Sequence, residues 1–304
     1  MPLHAEGITD AVLDEAIAFV RSANPFAQYT WGWNTGRFID WRWAGNAVRN
    51  PDPAWFAEHG TIFRDGDGIR AISVAEYGED DACILTRDED PGTVAEIIPL
   101  LADRHHARGE ALNLEFAEST EWLRTVCADA GMTEEPGTGC EWEYDLERLP
   151  EARPLPEGFT LSSIAETGDD AYDGIAECIT AAFNAVTDPR LVLRSLEDGP
   201  MYEPELSVIA LDPGGRVAAY CRGEADPDNG VGGIDPVCTH PDFHRKGLGG
   251  AVVVRCLESQ QRLGGRFSYI GSEPEPAPGA RLYRSLGPSS VSVSCTWSLP
   301  APAE

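Results

Sequence analysis

Between residues 240 and 251 the chain reads HPDFHRKGLGGA, with His244, Arg245 and Lys246 set directly before Gly247, Gly249 and Gly250. Lys246 is the only lysine in the protein. Successive glycines let a backbone turn tightly and let a ligand approach with no Cβ in the way. If a helix begins here, its first-turn amides lack intrahelical partners and point outward at the positive end of the helix dipole. Arginine and lysine add full positive charge. A loop of this composition suits a pyrophosphate. It is not a Walker A loop, since G-x-x-x-x-G-K-[ST] is absent, and it does not fit G-x-G-x-x-G with a following acidic residue.

The elements around the loop must place it. GVGGIDPVCT before it is expected to be a strand, with Pro236 implying a bulge or an edge. Residues 248–263 after it are largely apolar and end in a glycine pair, as expected of a helix with its stop signal.

The surrounding chain is strongly acidic: 304 residues carry a net charge of −28. That balance argues against nucleic acid and anionic membranes as partners, which need a basic footprint. It suits a cationic substrate drawn by the global field. No long apolar run or leader-like N-terminus is seen, so the expectation is a soluble cytoplasmic protein, monomer or homodimer. Eight cysteines are scattered with no C-x-x-C pair and no H-E-x-x-H accompanies His105 and His106, so no metal site is expected.

Two halves of similar plan flank a charged, proline-rich stretch, LERLPEARPLPE, at 147–158. Leu13, Ala16, Ile17 and Val20 predict an amphipathic helix in the first half; Ile175, Cys178, Ile179 and Ala182 predict one in the second. Hairpin signals follow around Asp65–Gly68 and Asp212–Gly215. Both halves then close with a helix, a glycine and a strand containing C-x-W. Gly68 and Gly215 lie 147 residues apart, Gly131 and Gly287 156, and Cys140 and Cys295 155. Three such offsets in order point to a duplication.

With these patterns in view, Val237 to Ala251 resembles the acyl-CoA signature of the GNAT superfamily of N-acyltransferases. GARLYRSLG (279–287) resembles that family's second landmark, a helix bearing a tyrosine. The resemblance covers about residues 157–298. It implies an α/β (α+β) fold of two tandem GNAT-like domains, each a mixed, mostly antiparallel sheet flanked by helices. Residues 155–304 would be the catalytic domain and 1–149 a degenerate one without a cofactor loop.

The resemblance also implies roles. Val237, Cys238 and Thr239 would line the pantetheine arm of acetyl-CoA or another acyl-CoA. His244, Arg245, Lys246, Gly247, Leu248, Gly249 and Gly250 would cradle its pyrophosphate. Tyr283 would protonate the leaving thiolate. His244 stands where arginine or glutamine is usual, and Pro288 where an aromatic is. Gly233 stands where many relatives have a glutamate base; Asp235, on the same strand face, is the expected base, with Glu224, Asp226 and Glu273 as competitors.

The matching place in the first half has Asp88, Glu89 and Asp90 where phosphates would sit, and Cys127 opposite Tyr283. Like charges there would repel a pyrophosphate. Its tryptophan-rich stretch 24–43 offers Trp31 and Trp33, with Glu224 from the second half, as candidates to line an acceptor pocket. Arg37 and Asp40 could orient a polar substrate.

The expected function is an N-acetyltransferase moving an acetyl or short acyl group to the amine of a small molecule by direct transfer in a ternary complex. The alternative is a non-catalytic acyl-CoA or metabolite binder on the same fold.

Overall fold

A computed structural model describes residues 3–24, 26–76, 80–185 and 187–302. They form two compact units, and neither follows the linear division into 1–149 and 155–304. The first takes the chain through Phe38, Asn50–Cys140 and the residues from Ser292 onward; the second takes Ile39–Arg49 and Glu141–Val291.

In the first unit the helix Leu13–Ala23 buries Leu13, Ala16 and Val20 as its periodicity predicts, with Phe19 in place of Ile17, which is only half-buried. Strands β1 (His4–Gly7), β2 (Gly60–Asp65), β3 (Gly68–Val74) and β4 (Asp81–Thr86) pair antiparallel in that order. The β2–β3 hairpin closes at Asp65 opposite Gly68, whose φ of +120° only glycine adopts readily. β5 (Leu112–Ala117) pairs parallel to β4 after the helix Pro91–Ala107. The helix Glu121–Asp129 and Gly131, at φ +79°, lead into the long strand β6 (Thr133–Asp145), whose last residues belong to the second unit.

The second unit repeats the plan. Strands β7 (Thr160–Ser163), β8 (Ser207–Leu211), β9 (Val217–Asp226) and β10 (Val231–Thr239) are antiparallel neighbours, and β11 (Phe267–Ser272) runs parallel to β10. The end of β6 lies on the other side of β11. The last strand, β12 (Ser290–Leu299), enters the first unit, where Ser294–Leu299 pair antiparallel with β5. The closing strands are therefore exchanged between the halves.

Alternation along β9 sends successive side chains to opposite faces of the sheet. Tyr220 joins Ile209 and Cys238 under the helix Tyr172–Phe183, which contributes Ile175 and Cys178. The helix Leu248–Arg262 covers the other face and buries Leu248, Val252, Val253, Cys256 and Leu257, each side chain contributing about 1.5–3 kcal/mol. Its fit depends on two glycines: a Cβ at Gly223 would lie 2.6 Å from Cys256 Sγ, and one at Gly232 2.7 Å from Gln260 Nε2. Gln260 uses that space to donate to the carbonyls of Glu224, at 2.9 Å, and Gly233, at 2.7 Å. Among the described residues no helix is long and apolar enough to cross a membrane.

Candidate active site

Strands β10 and β11 pair only from Val231↔Phe267 to Gly233↔Tyr269. Beyond that point β10 stays with β9 as far as Thr239↔Ala219, after a register shift between Ile234 and Val237 that answers to the bulge Pro236 predicts. The two parallel strands therefore part, and one edge of β10 is left without a strand partner. Which backbone groups face that edge follows from the ladder. The amide of His240 donates to the carbonyl of Ala218 at 2.9 Å. In an antiparallel pair the bonded positions alternate, so His240 and Cys238 point their peptide groups at β9. Val237 and Thr239 point theirs into the gap.

The loop beyond the strand closes one end of the gap. Pro241–Phe243 form a 3₁₀ turn, and the ring of His244 then folds back so that its Nε2–H donates to the carbonyl of Thr239 at 3.0 Å. One of the edge carbonyls is thus already engaged, which accounts for a histidine at this place. Arg245 and Gly247 both take left-handed backbone conformations, with φ of +61° and +82°. Such left-handed residues turn backbone N–H groups into an anion-binding concavity. The first intrahelical bond runs from Ala251 N–H to Gly247 O, which leaves the amides of Leu248, Gly249 and Gly250 to face outward. Arg245 and Lys246 are exposed, and Lys246 Nζ stands 5.4 Å and 5.3 Å from the ring centres of Phe159 and Phe243.

Space is tight at Gly249, because a Cβ there would come within 3.1 Å of Thr239 Oγ1 and 3.3 Å of Leu282 Cδ2. That contact brings in the helix Pro278–Ser285, which carries Tyr283. The tyrosine is buried with 7% of its surface exposed. Burial holds its hydroxyl well above the usual phenol range, and the carboxylate of Asp235 pushes the same way. It therefore keeps its proton, as a donor must. Its carbonyl accepts from the Tyr144 hydroxyl at 2.8 Å. Nearby, Trp142 Nε1 donates to Ser272 Oγ at 2.8 Å and the hydroxyl of Tyr269 to Glu143 at 3.1 Å, so the end of β6 braces this side of the site.

The remaining expected residues divide. Asp235 is exposed within the bulge where the strands part. Glu224 lies opposite Gly233 in register and is buried. Cys238 does not face the gap: its thiol is in the core, 3.7 Å from Cys178 Sγ, and the contact with an acyl-CoA expected of it is not available to its side chain. Leu248 likewise buries its side chain and offers only its amide. Trp31 and Trp33, expected to wall an acceptor pocket, each have 3% of their surface exposed. Trp31 packs edge-on against Phe116 at 5.6 Å, and Arg37 covers the Trp33 ring at 4.8 Å while pairing with Glu76. They are core and not lining.

One group escaped the sequence reading. Arg222 is buried on β9 and ion-paired with Asp40, with Glu224 3.9 Å away. Tyr220, Arg222, Glu224 and Asp226 occupy alternate positions of an otherwise apolar strand. That run of polar residues on one face was the available signal.

Comparison with known proteins agrees with this geometry. Residues 172–287 match the model of the acetyltransferase (GNAT) family. Over 149 residues the chain is 30% identical to a mycothiol acetyltransferase of Pseudarthrobacter chlorophenolicus, covering 46% of this chain and 45% of that one. A mycothiol acetyltransferase of Actinosynnema mirum is 29% identical over 149 residues, 47% of this chain and 48% of that one. The chain thus spans about half the length of the curated relatives it matches. Among solved structures, a tandem GNAT protein from the clavulanic acid biosynthesis pathway superposes with a TM-score of 0.67 at 14% identity, covering 99% of both chains. A GCN5-related N-acetyltransferase from Sphaerobacter thermophilus gives 0.64 at 16% identity, covering 99% of this chain and 97% of that one. At such identities the likeness concerns the fold, two tandem domains of one type.

Proposed function

We propose that this chain, whose residues 172–287 form a domain of the acetyltransferase (GNAT) family, moves an acetyl or short acyl group from acyl-CoA to the amine of a small molecule. The observation that carries the reading is the parting of β10 from β11 after Gly233, with the basic glycine loop at its mouth. The residues present fit an acyl-CoA. A free strand edge suits the amide-bearing pantetheine arm, which would bind as an added strand. The left-handed residues 245 and 247, the outward amides of 248–250 and two exposed cations suit its pyrophosphate. When bound, the acyl-CoA supplies a thioester carbonyl open to attack by an amine.

The chain's own groups then have defined tasks. The Val237 amide, pointing into the gap, holds the carbonyl oxygen as negative charge develops on it. Tyr283, kept protonated by burial, delivers its hydroxyl proton to the leaving sulfur. Asp235, exposed where the strands part, accepts the proton lost by the attacking amine. The carbon–sulfur bond breaks as the carbon–nitrogen bond forms, in one ternary complex. The exposed carboxylate of Asp235, with the chain's net charge of −28, favours a cationic acceptor over an acidic one.

Titration of acetyl-CoA consumption against a panel of small amines, read by release of free thiol, tests the proposal. Thiol release that depends on both substrates is expected. A chain that binds acetyl-CoA and frees no thiol with any amine is a binding protein and overturns the transfer. A chain that does not bind acetyl-CoA overturns the cofactor assignment as well.

A further inference from the structure

In the first unit, too, a pair of parallel strands parts early. Here β4 pairs with β5 only at Asp81↔Asn113 and Ala82↔Leu114, although β4 continues to Thr86 beside β3. The short helix Phe26–Trp31 packs on both strands, and its Trp31 ring meets Phe116 of β5 edge-on.

Beside this helix lies an open cavity of about 760 Å³, lined by Phe26, Tyr29, Thr30, Glu89, Ser119, Thr120, Glu121 and Trp122. Three of these are aromatic, two are carboxylates and none is basic. Glu89 and Glu121 are exposed, and Tyr29 turns about half of its surface to solvent. Aromatic faces carry negative potential and attract a desolvated organic cation, and adjacent carboxylates add to that attraction. A phosphate or a coenzyme A would meet repulsion at the same place.

We infer that this cavity of the first unit is a binding site for an organic cation, of the alkylammonium class. No catalytic step is assigned to the site. It is independent of the transfer proposed for residues 172–287.

Calorimetric titration of the full chain with choline, and with its neutral isostere 3,3-dimethylbutan-1-ol, decides the matter. Saturable choline binding is expected, with the isostere at least about tenfold weaker, as the loss of a cation–aromatic contact predicts. Trp122→Ala and the double change Glu89→Gln with Glu121→Gln are each expected to weaken choline about tenfold. Acetyl-CoA affinity should not move in either. The two glutamates are exposed, so their replacement leaves the fold intact even if the tryptophan variant does not fold. Equal binding of choline and the isostere, or choline affinity unchanged in the glutamate variant, overturns the proposal. So does an absence of choline binding to the unaltered chain.

Discussion

The hydroxyl of Tyr144 donates to the main-chain carbonyl of Tyr283 at 2.8 Å, in a buried contact between residues 139 positions apart. The same carbonyl accepts from the Leu286 amide at 3.1 Å, which closes the last turn of the helix that carries Tyr283. Helix ends leave carbonyls without intrahelical partners, and here a side chain from β6 supplies one. The proposed acid is therefore held by its backbone from one side while its ring is enclosed by packing.

Tyr283→Phe should retain acetyl-CoA affinity and lose turnover by about 10²–10⁴-fold, the usual worth of a general acid. Steady-state kinetics together with a binding titration separate the two effects. Because the hydroxyl is held above the usual phenol range, its protonated form persists as pH rises past 10. Activity at alkaline pH should accordingly not decline through titration of this group. A rate that falls with an apparent pKa near 10 and loses that limb in the phenylalanine variant would contradict the assignment.

The glycine loop predicts an order of sensitivity. Gly249→Val places carbon against Thr239 Oγ1 and Leu282, both closer than 3.4 Å to the Cβ position, and should weaken acetyl-CoA by tenfold or more. Gly250→Ala meets its nearest neighbour, Leu286, at an ordinary 3.5 Å, and should change affinity little. Gly247→Ala carries the penalty of a left-handed backbone, about 1–2 kcal/mol, and falls between them. Calorimetry on the three variants checks the ranking.

Arg222→Met removes the cation from a buried pair and leaves the carboxylates of Asp40 and Glu224 facing one another across the vacated space. Loss of one partner of such a pair costs about 3–5 kcal/mol. Denaturant unfolding should show a loss of this order. Combining it with Asp40→Leu should restore part of it, since the double change removes both charges together. A single variant as stable as the parent would mean the pair contributes nothing.

His105 gives the protein an acid limit. It is buried on the helix Pro91–Ala107 with Glu110 at 3.7 Å. Burial, then the charge of Arg108, pushes its pKa down from 6.5 to about 4, against the pull of Glu110. The unfolded chain therefore binds a proton at a pH where the folded one does not. Stability from this residue is full above pH 6.5 and is lost progressively down to about 4, amounting to about 3 kcal/mol. Thermal melting across that range should show the slope, and His105→Leu should flatten it.

Local pattern made a good part of this legible. The hairpins at Asp65–Gly68 and Gly215, the helix following Gly247 and the tyrosine helix are each set by residues within a few positions of one another. Gly247 and Gly249 announced themselves because their backbone and space requirements are local too. The contacts that did not show join distant residues. Asp40 meets Arg222 across 182 positions, and Gln260 needs two glycines on separate strands to reach Glu224 and Gly233. The tryptophans of residues 31 and 33 misled for a related reason: aromatic density fits a ligand wall and a packed core equally well, and only tertiary burial distinguishes them. His244 looked anomalous because its partner is a backbone carbonyl, which leaves no mark in a sequence.

The exchange of closing strands bears on how such a chain can be shortened or divided. Cleavage within residues 147–158 would separate the covalent halves while cutting across both compact units. The piece carrying the glycine loop would lack Tyr144 and the Asp40 partner of Arg222, and the other would lack the strand that covers β5. The two halves follow one plan, and the swap of their last strands has made each half a hostage to the other.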